Sequence, residues 1–100
     1  MGTFQAKLVT IITEALLEQE LTQRLVELGA TGYTVSDARG KGHRGVRDAG
    51  WEHGANIRVE VLCDEETANR IAAFVVENYY RDYALVVFID TVEVLRENRF

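Results

Sequence analysis

Apolar residues follow two different periods along the chain, and the period changes from one predicted element to the next. Residues 8–13 form an apolar, β-branched run, which predicts a strand. The leucines that follow recur at spacings of four, four and three, the period of one helix face, and Gly29 is a suitable stop. Those leucines are Leu17, Leu21, Leu25 and Leu28. A second strand is predicted from about residue 31 to residue 38.

The second half of the chain repeats this order. Apolar residues alternate with Arg58 and Glu60, which predicts a third strand with one polar face. Asp64 is a suitable N-cap for a second helix, because its carboxylate can accept a hydrogen bond from the first helical turn. The apolar positions of the strand are Ile57, Val59 and Val61, and those of the helix are Ala68, Ile71, Ala72, Val75 and Tyr79.

Residues 84–89 form a continuous apolar run that predicts the last strand, and residues 91–95 could extend it. The order strand–helix–strand, loop, strand–helix–strand predicts an α+β fold. This is a ferredoxin-like βαββαβ sandwich, in which two helices cover one face of a four-stranded antiparallel sheet. The last strand does not alternate, so its second face would expose apolar side chains. We expect oligomerisation through that face; the alternative is that the C-terminal segment folds back over it.

Residues 40–54 hold five of the eight glycines and show no apolar period, which predicts a long loop after the second strand. The sequence RGKGHRGVR (39–47) enters this loop, and its GKGHRG matches the dinucleotide fingerprint G-x-G-x-x-G. A dinucleotide site needs a helix directly after the glycines, and no helical pattern follows here, so we reject a Rossmann site. A Walker sequence is absent. Glycines and clustered cations instead favour a small anion; the alternative is a solvated basic loop that binds nothing.

The composition limits what else the chain could be. One hundred residues suit a single domain, residues 1–100, and a net charge of −5 argues against nucleic acid as a partner. Cys63 is the only cysteine, which excludes an internal disulfide and fits a reducing compartment, so we expect a cytoplasmic protein. His43 and His53 could bind a metal ion but lack the spacing of a recognised site. No nucleophile stands beside a base, so we do not expect an enzyme.

The segments Gly32-Tyr33-Thr34-Val35 and Arg39-Gly40-Lys41-Gly42, on a βαββαβ chain of this length, resemble the PII signal-transduction superfamily. The longer form GYTV…GKG-x-R-x-x-R resembles its inorganic-carbon branch, which includes regulators of a bicarbonate transporter and carboxysome-associated PII proteins. The resemblance implies a homotrimer of ferredoxin-like subunits that binds adenine nucleotides in the clefts between subunits. It also implies that the loop after the second strand, the T-loop at about 40–54, contacts partners.

The resemblance further implies the residues of a nucleotide site. The adenosine pocket would contain Gly32, Tyr33 and Thr34. The base of the T-loop, which is Gly40, Lys41 and Gly42, would surround the phosphates, and the pair Arg44 and Arg47 would bind them. The turn before the last strand would contact the nucleotide through Tyr83, Ala84 and Leu85. AMP or ADP is the expected ligand, with cyclic AMP and bicarbonate as further candidates. Bicarbonate would bind at Lys41, Arg44 and Arg47.

The chain departs from the nitrogen-regulating members of the superfamily. The lysine of their G-D-G-K turn is absent from residues 81–85, and residues 40–54 contain no tyrosine, so we expect neither ATP with 2-oxoglutarate nor tyrosine nucleotidylation. We expect a regulatory protein of bicarbonate uptake or carboxysome function. Its partner would be a membrane bicarbonate transporter, which would recruit it to the inner membrane, or a carboxysome component. The alternatives are a trimeric divalent-metal-binding protein similar to cation-tolerance proteins, and a weak nucleotide hydrolase.

Overall fold

The order of strands and helices is the one that the hydrophobic pattern predicts. The structure, a computed structural model, describes residues 2–40 and 56–95, and within these ranges it contains four strands and two α-helices. A 3₁₀ turn, Ala15–Leu17, leads into the first helix. The strands are β1 (Phe4–Glu14), β2 (Thr34–Ala38), β3 (Asn56–Cys63) and β4 (Leu85–Val94), and the helices are α1 (Glu18–Glu27) and α2 (Glu65–Tyr79).

The four strands form one sheet in the order β2-β3-β1-β4, and every neighbouring pair is antiparallel. Both helices pack on the same face of this sheet. The ferredoxin-like βαββαβ fold predicted from the sequence is therefore confirmed. The first strand begins four residues before the apolar run because its N-terminal part pairs with β4 as far as Phe4, where Val94 is its partner. The second strand begins at Thr34, three residues later than predicted.

The core lies between the sheet and the helices. It contains most of the side chains that the sequence periods selected. Leu17 is buried but lies in the 3₁₀ turn rather than in α1, and Leu28 directly follows α1 and is half-buried. Ala72, predicted to lie on the buried helix face, is only half-buried. The largest fully buried core side chains are Val9, Ile11, Leu17, Leu21, Leu25, Ile57, Val59, Val61, Ile71 and Val75.

Local chemistry fixes the ends of the helices where the sequence predicted them. The carboxylate of Asp64 accepts a hydrogen bond from the backbone N–H of Thr67 at 2.8 Å, which caps α2 and lowers the pKa of Asp64. Gly29 has a φ of +113°, a conformation that side chains other than glycine disfavour, and the N–H of Ala30 then bonds to the carbonyl of Leu25. The predicted N-cap and the predicted stop are both confirmed.

A hydrogen bond and aromatic contacts join the two helices near the end of α2. The hydroxyl of Tyr79 donates to the carboxylate of Glu20 at 2.9 Å. Burial and this carboxylate raise the pKa of Tyr79 to about 12. The ring of Tyr79 also meets the rings of Phe74 and Tyr83 edge to face, at centroid distances of 5.8 and 5.9 Å. These contacts attach the turn before β4 to the helical layer.

The second face of the sheet carries no helix from the described ranges and presents apolar side chains. On β4, Val86 and Phe88 are 45% and 40% exposed. Their β1 partners are Ile12 and Thr10. Thr10 is fully buried, and its hydroxyl oxygen finds no hydrogen-bond partner among the residues that the structure describes. We call this surface the open face.

Two changes on α2 test the assignment of the buried and exposed helix faces. Ile71→Ala should lower the free energy of unfolding by about 2–5 kcal/mol, because it removes fully buried methyl groups and leaves a cavity. Val76→Ala, on the exposed side of the same helix, should change it by less than about 0.5 kcal/mol. Urea unfolding followed by circular dichroism measures both values. Equal effects of the two substitutions would contradict the packing described.

Candidate functional site

A groove of about 390 Å³ lies on the open face, where the chain enters β2. The approach to this strand forms one side of the groove, and β1 and β3 form its floor. Leu8 and Leu62 are paired across β1 and β3, and Glu60 pairs with Thr34 across β3 and β2, so their side chains point to the same face. The lining residues are Leu8, Thr31, Gly32, Tyr33, Thr34, Glu60 and Leu62.

The groove combines apolar walls with a few polar groups, which is the usual composition of a small-molecule site. Tyr33 is 45% exposed and offers an aromatic ring, while Leu8 and Leu62 offer aliphatic surface. The carboxylate of Glu60 accepts a hydrogen bond from the Nε of Arg58 at 3.3 Å. A carboxylate accepts hydrogen bonds and repels anions, so this groove suits the flat, uncharged part of a ligand.

Gly32 lies in the groove, and nothing in residues 2–40 and 56–95 requires glycine at this position. Its φ is not in the left-handed region, and a Cβ built on it would meet no heavy atom of these residues within 4 Å. Gly29 differs on both counts, because its φ is +113° and its Cβ would lie 3.1 Å from Arg70 Nη2. The absence of a side chain at residue 32 therefore leaves the groove open for something outside the chain to approach the backbone.

A second group of candidate residues lies at another edge of the sheet, where β2 and β1 end and where β3 and β4 begin. Ala38 pairs with Asn56, and Asn56 pairs with Glu14. The N–H of Ala84 donates to Glu14 Oε2 at 2.9 Å, and its carbonyl accepts from Thr13 Oγ1 at 3.2 Å. We call the row Ala38, Asn56, Glu14 and Ala84 the loop edge, because the predicted T-loop leaves the sheet here.

The structure brings some of the predicted nucleotide-binding residues together and separates others. Gly32, Tyr33 and Thr34 line the groove, whereas Gly40 lies beyond the loop edge at the opposite end of β2. Thr34 and Ala38, the ends of β2, are about 13 Å apart at the usual rise of a strand. Within one chain, the two groups of residues therefore do not line one cavity. Lys41, Gly42, Arg44 and Arg47, together with His43 and His53, lie outside the described residues.

The turn before β4 faces inward more than the sequence suggested. Tyr83 and Leu85 are half-buried and pack against the core, and Ala84 is 3% exposed. Both backbone polar groups of Ala84 are engaged within the chain, by Glu14 and Thr13. Contact of these three residues with a nucleotide stays a prediction.

Other kinds of site find no support in the described ranges. Residues 2–40 and 56–95 contain no cluster of three or more His, Cys, Asp or Glu side chains that could hold a metal ion. No helix in these ranges is long and apolar enough to cross a membrane. Cys63 is buried, and burial raises the pKa of its thiol.

Sequence reasoning missed four groove residues: Leu8, Thr31, Glu60 and Leu62. The alternation in β3 identified Glu60 as a polar-face residue, but alternation does not say what lies opposite. Glu60 joins Thr34, and Leu62 joins Leu8, only through the strand register. The registers of β3 with β1 and with β2 could have identified Leu8, Leu62 and Glu60, whereas Thr31 directly precedes Gly32 in the sequence.

Comparison with known proteins agrees with this fold over nearly the whole chain. Residues 6–99 match the family profile of nitrogen regulatory protein P-II. A crystal structure of a protein described as PII-like and signalling, from Thermus thermophilus, shares 43% sequence identity. The alignment covers 95% of this chain and 94% of that chain, with a TM-score of 0.79.

Structures of CPII from Thiomonas intermedia have the same fold. One, bound to ADP, AMP and acetate, has a TM-score of 0.83 and 24% identity, with coverage of 96% of this chain and 94% of that chain. Another, bound to ADP and bicarbonate, has a TM-score of 0.80 and 24% identity, with coverage of 95% and 93%. The family profile and the 43% identical protein together show that this chain belongs to the nitrogen regulatory protein P-II family.

Proposed function

We propose that this chain is a PII-like regulator that senses adenine nucleotides, AMP or ADP, at clefts between the subunits of a homotrimer. It acts by binding and signalling, and the T-loop at about 40–54 carries the signal to a partner. The proposed process is the handling of inorganic carbon, with a membrane bicarbonate transporter or a carboxysome component as the partner. The protein would act in the cytoplasm, recruited to the inner membrane where the transporter is the partner.

The observation that carries this proposal is the groove around Gly32. The resemblance to the PII superfamily implies that Gly32, Tyr33 and Thr34 contact adenosine, and the groove contains all three with an aromatic ring, aliphatic walls and the carboxylate of Glu60. An adenine ring can stack on Tyr33 and contact the leucines, while the amino group of the base or the hydroxyls of ribose can donate to Glu60. The bare backbone at Gly32 allows the ligand to come close.

The separation of the groove from the loop edge supports a site shared between subunits. In one chain, the proposed adenosine residues lie where β2 begins, and Gly40, the one described residue of the proposed phosphate group, lies beyond its other end. A second chain that packs on the open face could place its loop edge beside the groove of the first. The exposed side chains of Val86 and Phe88 supply apolar surface for such packing. Each cleft would then take its adenosine part from one chain and its phosphate part from the next.

The choice of ligands and process is supported by similar proteins and by the loop sequence. One CPII structure is bound to ADP, AMP and acetate, a second to ADP, AMP and bicarbonate, and a third to ADP and bicarbonate, and CPII shares the fold. The GKG-x-R-x-x-R sequence in this chain supplies cations for a phosphate, and Lys41, Arg44 and Arg47 could also take a bicarbonate ion. Cyclic AMP is a further candidate because it offers the same base and a single phosphate.

A glycine pair tests whether the groove binds nucleotide. Gly32→Ala should weaken AMP or ADP about tenfold or more, equivalent to about 1.4 kcal/mol, because the added methyl group would occupy space that is open to a ligand at this lining residue. Its stability should stay within about 0.5 kcal/mol of the wild type. Gly29→Ala is the matched control: it should lose about 1 kcal/mol of stability, because of its positive φ, and keep its nucleotide affinity. Calorimetric titration measures the nucleotide affinity, and thermal unfolding measures the stability. If Gly32→Ala binds nucleotide as tightly as the wild type, the groove is not part of the nucleotide site.

Arginine substitutions test the phosphate half of the site. Arg44→Ala and Arg47→Ala should each weaken AMP or ADP about tenfold to a hundredfold, since a charge-assisted hydrogen bond to phosphate contributes about 1.5–3 kcal/mol. Adenosine lacks the phosphate, so its weaker binding should not respond to either change. Arg44→Lys should recover only part of the loss, because it keeps the charge and loses the forked geometry. Equal weakening of adenosine and AMP would show that the arginines act by another route.

A charge placed on the open face tests the assembly. Light scattering of the wild type should give about three times the chain mass of 11.3 kDa. Phe88→Glu should dissociate the trimer and abolish nucleotide binding, because it would bury a carboxylate in the apolar interface. Val26→Glu adds the same charge on exposed helix surface and should leave both unchanged. A wild type that is monomeric at micromolar concentration would refute the shared site.

A further inference from the structure

Glu14 has an uncommon environment for an acidic side chain. It is the last residue of β1 and is only 6% exposed. The described ion pairs are Arg24 with Glu27 and Arg58 with Glu60, so within residues 2–40 and 56–95 no cation pairs with Glu14. Its carboxylate accepts a hydrogen bond from the N–H of Ala84. Burial of a carboxylate beside a single neutral donor is costly, so Glu14 is retained here at the expense of stability.

The neighbour of Glu14 adds a second acceptor at the same place. Asn56 is its partner in the β1–β3 ladder and is 4% exposed. The side-chain oxygen of Asn56 is buried and has no hydrogen-bond partner among the described residues. Cross-strand partners lie within about 5.5 Å of each other, so the carboxylate and the amide oxygen share one small region of the loop edge. Both groups disfavour a further acceptor, such as a phosphate oxygen, beside them.

The bond to Glu14 also occupies a donor that an anion could have used. Backbone N–H groups in turns commonly bind anions, and Ala84 stands in the turn before β4. Its N–H is already bonded to Glu14 at 2.9 Å, and its carbonyl accepts from Thr13. A phosphate at this turn could not bind the N–H of Ala84, which is already bonded, and would lie beside the negative charge of Glu14.

We propose that Glu14 is a specificity-determining residue, which makes the site favour nucleotides with one or two phosphates over a nucleoside triphosphate. This inference rests on the proposed function, in which the phosphates lie towards the loop edge near Gly40. Each additional phosphate extends a ligand towards the buried carboxylate and adds negative charge near it. The basic residues of the T-loop attract phosphate in general, and Glu14 limits how many phosphates the site accepts.

The test compares how strongly the protein distinguishes ATP from AMP. Glu14→Gln keeps the size of the side chain and an oxygen that can accept from Ala84, but removes the charge. It should strengthen ATP relative to AMP about tenfold, and less in high salt, because screening weakens the repulsion. Asn56→Asp adds a charge beside Glu14 and should shift the same ratio in the opposite direction. Glu66→Gln, which removes an exposed charge on the first turn of α2, should leave the ratio unchanged.

The readout is the ratio of the ATP and AMP dissociation constants, measured by calorimetry on the full chain, with thermal unfolding as the check on folding. If Glu14→Gln leaves this ratio within a factor of two while AMP still binds, the selectivity role is refuted and the nucleotide site stands. If the variant weakens ATP and AMP equally, Glu14 has a structural role and the proposal is also refuted. If the wild type binds no adenine nucleotide, the proposed function fails and this inference fails with it.

Discussion

The antiparallel pairing of β1 with both of its neighbours is the constraint on which the rest of the structure depends. Residues 7–14 pair with β3, and residues 4–13 pair with β4, so β1 lies in the interior of the sheet. Side chains alternate between the two faces, and a slip of one residue would exchange core and open face along the whole strand. Val9 and Ile11 face the helices in the observed register, and Leu8 faces the groove.

The same register creates two chemically different regions on one chain. The groove beside Tyr33 has apolar walls and the carboxylate of Glu60, and it suits an uncharged ring. The loop edge contains the buried carboxylate of Glu14 and the side-chain oxygen of Asn56, next to the point where a segment rich in arginine and lysine leaves the sheet. The ligand proposed above, with a flat base at one end and one or two phosphates at the other, would meet both regions if two chains bring them together.

Gly29 and Gly32 show why residue type alone does not indicate function. Gly29 is needed by the fold, because it ends α1 with a left-handed φ and lies against Arg70. Gly32 stands three residues later and has neither requirement, so its role is sought outside the chain. The distinction depends on backbone angles and on neighbouring atoms, which the sequence does not give.

The sequence by itself determined the features that depend on local chemistry and periodicity. The cap at Asp64, the stop at Gly29 and the helix and strand order follow from interactions over a few residues, and these predictions were confirmed. Most positions of the two predicted helix faces are buried as well, although Ala72 is half-buried and Leu17 lies before α1. The resemblance to the PII superfamily implied Gly32, Tyr33 and Thr34 as binding residues, and all three line the groove. Only the tertiary structure could add Leu8, Glu60 and Leu62 to them, because those residues come from other strands. Only the tertiary structure could show the hydrogen bond between Glu14 and Ala84, which are 70 residues apart in the sequence. Strand register and long-range hydrogen bonds depend on how the whole sheet packs and not on any one segment.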